Sequence, residues 1–392
     1  MDHAEPSSAS FRPAGRDGHI LVLDAGSSSL HMVLFAPDGT VAARKDTDTA
    51  PGERTRADLE NLLDQVPFSP QAVGHRLVHG GSRLRHHVLV DDEVRGQLEE
   101  AAAMAPLHVP AALTVLDAAR DLLPRVPHAA CLDTAFHADL PKAAREYAVP
   151  ETWRTRYGIR RYGFHGLSYT WAVHQAATHL GRSVRDLQLI AVHLGGGCSA
   201  CAVHGGRSLD TTMGFTPLEG LVMSHRSGSV DPGALTWLQQ RCALSAADLD
   251  DALNHHSGLL GLSGTSGDTR DLVRARAAGD ERAALALAVF AHHARRGIAS
   301  MAASLHRIDA LVFTGEIGED QPEIRQEICA GLAVLGLNGD LTAPGPEGAQ
   351  DTVTLSSADA AVPVLMVPTG ETQQVALETR TLLDHDKPEE HE

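Results

Sequence analysis

Two arginines occupy short segments in which cations alternate with glycine. Arg76 lies in the segment 74–81 with two histidines and three glycines, and Arg226 lies between His225 and Ser227. The planar guanidinium group can bind a carboxylate or a phosphate through two parallel hydrogen bonds, and nearby glycine favours a turn. Any single arginine is most often a surface residue. Two arginines in similar settings predict an anion-binding site.

A histidine and an aspartate offer further groups for chemistry. His165 stands between Phe164 and Gly166, and Asp133 follows an apolar run that is typical of a strand. Functional sites of α/β proteins gather at the carboxyl ends of strands. A lone histidine in such a position is more often a core residue, so its interpretation depends on what the fold places beside it.

Two turns of small residues separate apolar runs. Gly26 with Ser27 to Ser29 forms the first turn, and Gly195 to Gly197 forms the second. Backbone N–H groups at such turns can approach a phosphate closely, because no side chain intervenes. Each turn alone is weak support, since most glycine turns bind nothing.

The elements that must position these residues repeat along the chain. The runs 20–23 and 30–35 predict a hairpin around the first turn, and the runs 189–192 and 198–203 predict another around the second. The run 311–313, followed by a glycine-containing segment, is a third variant of this plan. The repeat favours a duplicated α/β architecture with ligands held between the halves. Helices are predicted at 93–105, 110–122, 281–303 and about 373–383, and a last strand at 363–368.

Composition and charge exclude several classes of function. The 392 residues carry a formal net charge of −17, whereas binding to nucleic acid or to an anionic membrane needs clustered cations, so we expect neither partner. Five scattered cysteines do not form a disulfide framework and indicate a reduced, cytoplasmic protein. Residues 1–17 are polar and predict a disordered extension.

Ten motifs, in order along the chain, resemble those of the acetate kinase family. They are DAGSSS (24–29), GHRLVHGG (74–81), APLHVP (105–110), LDTAFH (132–137), RYGFHG (161–166), HLGGG (193–197), MGFTPLEG (213–220), RSGSVDP (226–232), GLSGTS (261–266) and VPTGE (367–371). The resemblance implies an α/β, duplicated ribonuclease H-like (actin-like ATPase) fold with two domains around a central cleft. Its domains would be 18–165 plus a C-terminal helix in 372–392, and a nucleotide-binding domain in 166–371.

The resemblance also implies an activity. The expected reaction is reversible transfer of the γ-phosphate of ATP to acetate or propionate, giving acyl phosphate and ADP, with Mg²⁺ or Mn²⁺ and in a homodimer. A carboxylate is ionised at neutral pH and needs no general base, so such a site must supply position and positive charge.

Individual roles follow from the resemblance, residue by residue. The implied catalytic residues are Arg76, Asp133, His165 and Arg226, with Arg76 also binding the substrate. The implied alkyl pocket is Val78, Leu107, Phe164 and Pro217. The implied metal ligands are Asp24 and Glu371. The implied phosphate and nucleoside contacts are Ser27, Ser29, His108, His193, Gly195, Gly196, Gly197, Asp268, Thr269, Arg270, Gly315, Glu316, Ile317, Gly318 and Asp320.

Five positions depart from the family pattern: His31 stands where lysine is usual, and the other four lie on the phosphate side. Asp24, Gly196 and Asp320 stand where asparagine is usual, and Glu316 replaces a glycine. Glu316 could occlude the nucleoside pocket, which would favour pyrophosphate or another phosphoryl donor, or it could face solvent and change little. A catalytically weak binding protein on the same fold is a third alternative. The acid's chain length also stays open, because one methylene group changes discrimination by only about 1–3 kcal/mol.

Overall fold

The computed structural model describes residues 18–26, 29–48, 50–52, 54–66, 69–342 and 351–385. The predicted extension 1–17, the predicted phosphate contact Ser27 and the last residues of the predicted C-terminal helix, 386–392, lie outside this part of the chain. The described residues form two six-stranded sheets with helices packed against them.

The elements are as follows. The first sheet contains β1 (Ile20–Ala25), β2 (Leu30–Phe35), β3 (Val41–Thr47), β4 (Ala72–Leu77), β5 (Val88–Leu89) and β6 (His128–Leu132). The second contains β7 (Gln188–Leu194), β8 (Cys198–His204), β9 (Arg207–Thr211), β10 (Ala310–Thr314), β11 (Val353–Thr354) and β12 (Val364–Met366). The helices are α1 (Thr55–Asp64), α2 (Asp92–Ala101), α3 (Val109–Leu122), α4 (Lys142–Arg145), α5 (Glu151–Tyr157), α6 (Gly166–His179), α7 (Pro232–Cys242), α8 (Ala246–His255), α9 (Gly258–Ser263), α10 (Thr269–Ala277), α11 (Glu281–Ala302), α12 (Glu316–Asp320), α13 (Pro322–Ala330) and α14 (Glu371–His385).

The two sheets repeat one another strand for strand. The first has the order β3-β2-β1-β4-β6-β5, and the second has the order β9-β8-β7-β10-β12-β11. Each sheet has five pairings of neighbouring strands, and their directions match in the order given. The first two pairings are antiparallel, the next two are parallel, and the last is antiparallel. The predicted duplication is therefore confirmed.

Both predicted hairpins are present; β2 has the predicted bounds, and β1, β7 and β8 are longer than expected. Asp24 pairs with His31 inside the first hairpin, and His193 pairs with Ser199 inside the second, so Asp24 and His193 belong to strands and not to the turns. The third predicted strand-turn-strand unit, which starts at the run 311–313, is wrong, because β10 is followed by helix α12 and not by a second strand. Gly315, with φ of 84°, makes that change of direction.

The predicted helices are found close to their expected bounds. The pattern at 93–105 forms α2 and ends in a single 3₁₀ turn before Pro106, whose ring disfavours a helical residue ahead of it. The patterns at 110–122, 281–303 and 373–383 correspond to α3, α11 and α14. Within the described residues, none of the helices combines the length and the apolar character that a membrane crossing needs.

The two halves meet through α6 and α14. Strands β1 and β7 are buried along their whole lengths, as expected for apolar strands covered on both faces. On α6, Leu167 packs into the core of the first sheet and Tyr169 into the core of the second. Helix α14 packs against β1, β4 and α6. The carboxyl ends of the parallel strands therefore face a shared cleft, although the domain boundaries at 165/166 and 371/372 stay a prediction.

Candidate active site

Three carboxylates surround Arg76 at the carboxyl end of the first sheet. Asp24 is the register partner of Arg76 across β1 and β4, and Asp133 directly follows β6, which neighbours β4. The guanidinium group of Arg76 lies 3.3 Å from Asp24, 3.0 Å from Asp133 and 3.3 Å from Glu371, the first residue of α14. The fold thus assembles four predicted site residues from four separate elements.

Burial and mutual repulsion control the protonation of this cluster. Burial, together with the charges of Asp133 and Asp24, raises the pKa of Glu371 to about 7 against the opposing effect of Arg76. Burial likewise raises the pKa of Asp133, again opposed by Arg76. Burial alone would lower the pKa of Arg76, but the three carboxylates hold it well above its ordinary value. One guanidinium group therefore faces three acidic groups, and its single positive charge balances only part of their negative charge.

The surplus negative charge of the three carboxylates makes the cluster a candidate site for a divalent cation. Carboxylate oxygens are the ligands that Mg²⁺ prefers, and Oε1 of Glu371 is buried without a hydrogen-bond donor. As the described side chains stand, no three of His, Cys, Asp and Glu are arranged to hold a metal ion. The carboxylate oxygens are nevertheless the right type of ligand for Mg²⁺. The guanidinium group of Arg76 lies between the oxygens that such an ion would use.

Arg226 is the opposite case, a desolvated cation with no carboxylate beside it. Its Nη1 donates to the main-chain oxygen of Pro217 at 2.7 Å, and no ion pair to it is found among the described residues. Burial lowers the pKa of Arg226, although an arginine side chain stays protonated at neutral pH. A partly buried cation without a protein counter-ion is a ready site for an anion.

His165 faces the same space as Arg226. It has φ of 58°, a left-handed conformation that is rare for a residue with a side chain, and it stands at the N-terminus of α6. A Cβ atom added to Gly197 would lie 2.8 Å from Nη2 of Arg226 and 3.2 Å from Nε2 of His165. The missing side chain of Gly197 therefore leaves open the point where both donors converge.

Two further histidines in the cleft are neutral at physiological pH. The ring of His193 stacks on that of His165 at 4.2 Å between centroids, and burial, with Arg76 second, lowers the pKa of His193 to about 3. Burial, followed by the charges of Arg226 and Arg76, lowers the pKa of His108 to about 4. Neutral imidazole rings can donate hydrogen bonds to a phosphate without adding charge to a crowded site.

A cavity of about 490 Å³ opens beside the second glycine turn. Eight of its lining residues were predicted as nucleotide contacts: Gly195, Gly196, Asp268, Thr269, Arg270, Glu316, Ile317 and Asp320. Asp268 caps α10 and binds Arg270 at 2.7 Å, and Glu316 is exposed at the start of α12. The volume suits a drug-sized ligand, so Glu316 does not fill this pocket.

Four lining residues were missed from the sequence: Ser224, His225, Gly267 and Gln321. Ser224 and His225 directly precede Arg226, and Gly267 directly precedes Asp268, so adjacency to a recognised motif was the available signal. A Cβ atom on Gly267 would lie 3.1 Å from the ring of His225. Gln321 carried no signal, because α12 was not predicted.

The remaining predicted residues have the following neighbours in the structure. Ser29 is within 3.4 Å of His31, and the main-chain oxygen of Gly318 accepts a hydrogen bond from the buried Arg325. Val78 packs against the cores of both halves, and Phe164 is buried directly before His165. Leu107 and Pro217 are half-buried, one beside His108 and the other bonded to Arg226. The alkyl pocket they were predicted to form stays a prediction.

Comparison with known proteins identifies the family and the fold of the chain. The family model of the acetokinase family matches residues 57–377. The acetate kinase of Deinococcus radiodurans is 41% identical, with 93% of this chain and 98% of the relative covered. Two crystal structures each cover 93% of this chain and all of their own: an acetate kinase of Porphyromonas gingivalis (33% identity, TM-score 0.83) and a propionate kinase of Francisella tularensis (32% identity, TM-score 0.82).

The two duplicated sheets, together with relatives that are kinases over nearly the whole chain, place the protein in the kinase class of phosphotransferases. The match to the family model and the sequence identity over nearly the whole chain then determine the family. The chain belongs to the acetokinase family.

Proposed function

We propose that the chain is an acetate kinase that transfers the γ-phosphate of ATP to acetate or propionate, giving acyl phosphate and ADP. The observation that carries this proposal is the convergence of Arg226 and His165 on the gap at Gly197. That gap adjoins the cavity beside Gly195 and Gly196, where a nucleotide can bind, and the charge of Arg76, which can bind a carboxylate, acts on His165 at the gap.

The chemistry requires positive charge and alignment more than proton transfer. The acid attacks as its carboxylate, so no side chain has to remove a proton, in contrast to a sugar kinase. Arg226 neutralises the phosphoryl group in transit, and neutral His165 donates a hydrogen bond to it. Arg76 orients the carboxylate, and His108 and His193 line the path of the phosphate.

The carboxylates Asp24, Asp133 and Glu371 are proposed to hold Mg²⁺ or Mn²⁺. When bound, the cation would offset charge on the phosphate oxygens of the nucleotide. Their negative surplus supports this role, as does Oε1 of Glu371, which accepts no hydrogen bond although it lies 3.3 Å from Arg76. Arg76, whose guanidinium group lies among the same three acids, is proposed to orient the substrate carboxylate.

The cavity beside α10 and α12 is proposed to bind the nucleoside. Its glycines, Gly195 and Gly196, expose main-chain N–H groups, and the N-terminus of α10 at Thr269 offers more. The comparisons do not favour the pyrophosphate-dependent or the non-catalytic alternative. The departures at Gly196, Glu316 and Asp320 are therefore proposed to modulate the affinity for ATP.

The proposal is tested by trapping acyl phosphate with hydroxylamine. Acetate, propionate and butyrate are each offered with Mg·ATP or with Mg²⁺ and pyrophosphate, and the hydroxamate is measured. We expect product with ATP and with the two shorter acids. Product with pyrophosphate alone would make Glu316 a donor switch, and no product from any pair would contradict the kinase assignment.

Replacing Glu316 by glycine is expected to tighten the binding of Mg·ATP by about three- to tenfold. Three carboxylates, those of Asp268, Glu316 and Asp320, line the cavity and oppose the polyphosphate, whereas Arg270 is already paired with Asp268. Calorimetric titration with Mg·ATP measures the change.

The control for this prediction is Glu316→Gln, which removes the charge and keeps the size. Equal gains in both variants identify charge as the cause, and a gain in Glu316→Gly alone identifies bulk. Wild-type affinity in both variants would show that Glu316 faces solvent in the complex.

We further propose that the protein is a homodimer that covers α7. This helix has no buried residue, and Trp237 on it is 57% exposed. A second copy is the occupant that the family resemblance predicts.

Light scattering after gel filtration is expected to give a dimer for the wild type and a monomer for Trp237→Glu. Tyr157→Glu, at an equally exposed aromatic residue of α5, is the control, and a dimeric Trp237→Glu variant would contradict the assignment. The cytoplasmic location stays a prediction.

A further inference from the structure

A chain of buried hydroxyl groups leads to the inner nitrogen of His165. Nδ1 of His165 lies 2.9 Å from Oγ of Ser199, and the same Oγ is hydrogen-bonded to the phenol of Tyr169. Ser199 and Tyr169 are both fully buried, the first on β8 and the second on α6. None of these hydroxyl groups reaches the cleft, so their role must be exerted through the imidazole ring.

The direction of the chain follows from its inner end. Burial raises the pKa of the Tyr169 phenol well above its ordinary value, so the group stays protonated, and the main-chain N–H of His193 is directed at its oxygen. The phenol hydrogen is therefore free to be donated to Ser199. Ser199 then has its own hydrogen left to donate, and Nδ1 of His165 is its other hydrogen-bond partner among the described residues, so Ser199 donates to Nδ1.

The outer nitrogen of His165 has to meet an anion. Nε2 faces the gap at Gly197 together with Nη2 of Arg226. Burial, followed by His193, Arg76 and Arg226, lowers the pKa of His165 well below its ordinary value, so the ring carries a single hydrogen. A lone pair on Nε2 would repel the phosphoryl group, whereas a hydrogen there would bind it.

We propose that Ser199 and Tyr169 are positioning residues that fix His165 in the tautomer with its hydrogen on Nε2, which then donates to the phosphoryl group in transit. The inference rests on the proposed function for the identity of the anion, but the tautomer itself is a property of the resting protein. Ser199 sets the tautomer, and Tyr169 sets the orientation of the Ser199 hydroxyl group.

The tautomer can be read by NMR without any turnover. In full-length protein labelled with ¹⁵N-histidine, long-range ¹H–¹⁵N correlations distinguish hydrogen on Nε2 from hydrogen on Nδ1, and His165→Gln identifies the signals of His165. We expect wild-type His165 to carry its hydrogen on Nε2. Hydrogen on Nδ1 in the wild type would overturn the proposal.

Variants of Ser199 separate the hydrogen bond from packing. Ser199→Ala removes the donor, and Ser199→Cys keeps the shape with only a weak donor. Both are expected to populate the Nδ1 tautomer and to lower kcat by about ten- to a hundredfold, with KM for ATP changed less. Tyr169→Phe is expected to act in the same direction with a smaller effect, since Ser199 can still rotate toward His165.

A second buried pair provides the matched control. Oγ of Ser208 lies 2.8 Å from Nδ1 of His137, but Nε2 of His137 binds the main-chain oxygen of Phe164 and not the cleft. Ser208→Ala should alter the signals of His137 and leave the tautomer of His165 as it is. If Ser199→Ala keeps both the tautomer and kcat, the proposal is wrong. If the wild type makes no acyl phosphate but Ser199→Ala shifts the tautomer, the positioning role stands and the kinase assignment fails.

Discussion

Replacing Arg226 by alanine is expected to lower kcat/KM for acyl phosphate formation by about a thousandfold or more. Arg226 is a cation without an ion-pair partner among the described residues, and its Nη2 faces the gap at Gly197. Its charge is therefore available to the migrating phosphoryl group, unlike that of Arg76, which three carboxylates share. A free charge in a partly desolvated cleft has its largest effect in the transition state.

The protein should tolerate this change. Among the described residues the side chain makes a single hydrogen bond, to the main-chain oxygen of Pro217, and its loss costs about 1–3 kcal/mol. Hydroxamate kinetics measure the activity, and a thermal melt measures the fold. Arg226→Lys keeps the charge without the planar fork and should recover only part of the rate. Arg95→Ala, which breaks an ion pair with Asp117 between α2 and α3, controls for the loss of an arginine elsewhere. An active, folded Arg226→Ala variant would rule out the site.

The sequence predicted the hairpins well, because each combines two apolar runs with a turn of small residues. It also predicted the carboxylate cluster in part, since Asp133 had to follow a strand. The register that sets Asp24 opposite Arg76 could not be read, because strand pairing depends on contacts between distant segments. The start of α14, which brings Glu371 to the same cluster, depends on packing against β1, β4 and α6.

Other features of the site have no local signature. The cavity beside α10 and α12 collects residues from four segments of the chain, and apart from Gly195 and Gly196 those that were predicted came from the family resemblance alone. The buried chain from Tyr169 through Ser199 to His165 joins a helix to a strand, and neither hydroxyl group stands out in the sequence. The lack of an ion-pair partner for Arg226 within the described part of the chain is likewise a property of the folded state, which composition cannot reveal.

The second large effect is expected at the glycine turn. Gly197→Ala should lower kcat/KM by about a hundredfold or more, because its Cβ atom would lie 2.8 Å from Nη2 of Arg226 and 3.2 Å from Nε2 of His165. Both groups are ends of side chains and can move aside, so the fold should persist. They would then move away from the point on which they have to converge.

The neighbouring glycine makes this prediction decisive. A Cβ atom on Gly196 would meet nothing within 4 Å, and neither glycine has a positive φ, so alanine suits the backbone at both positions. The two variants therefore make the same substitution in one turn and differ in what the methyl group approaches. Gly196→Ala should lose far less activity, with its effect confined to KM for ATP. Equal losses in both variants would mean that the turn as a whole, and not the space between Arg226 and His165, limits the reaction.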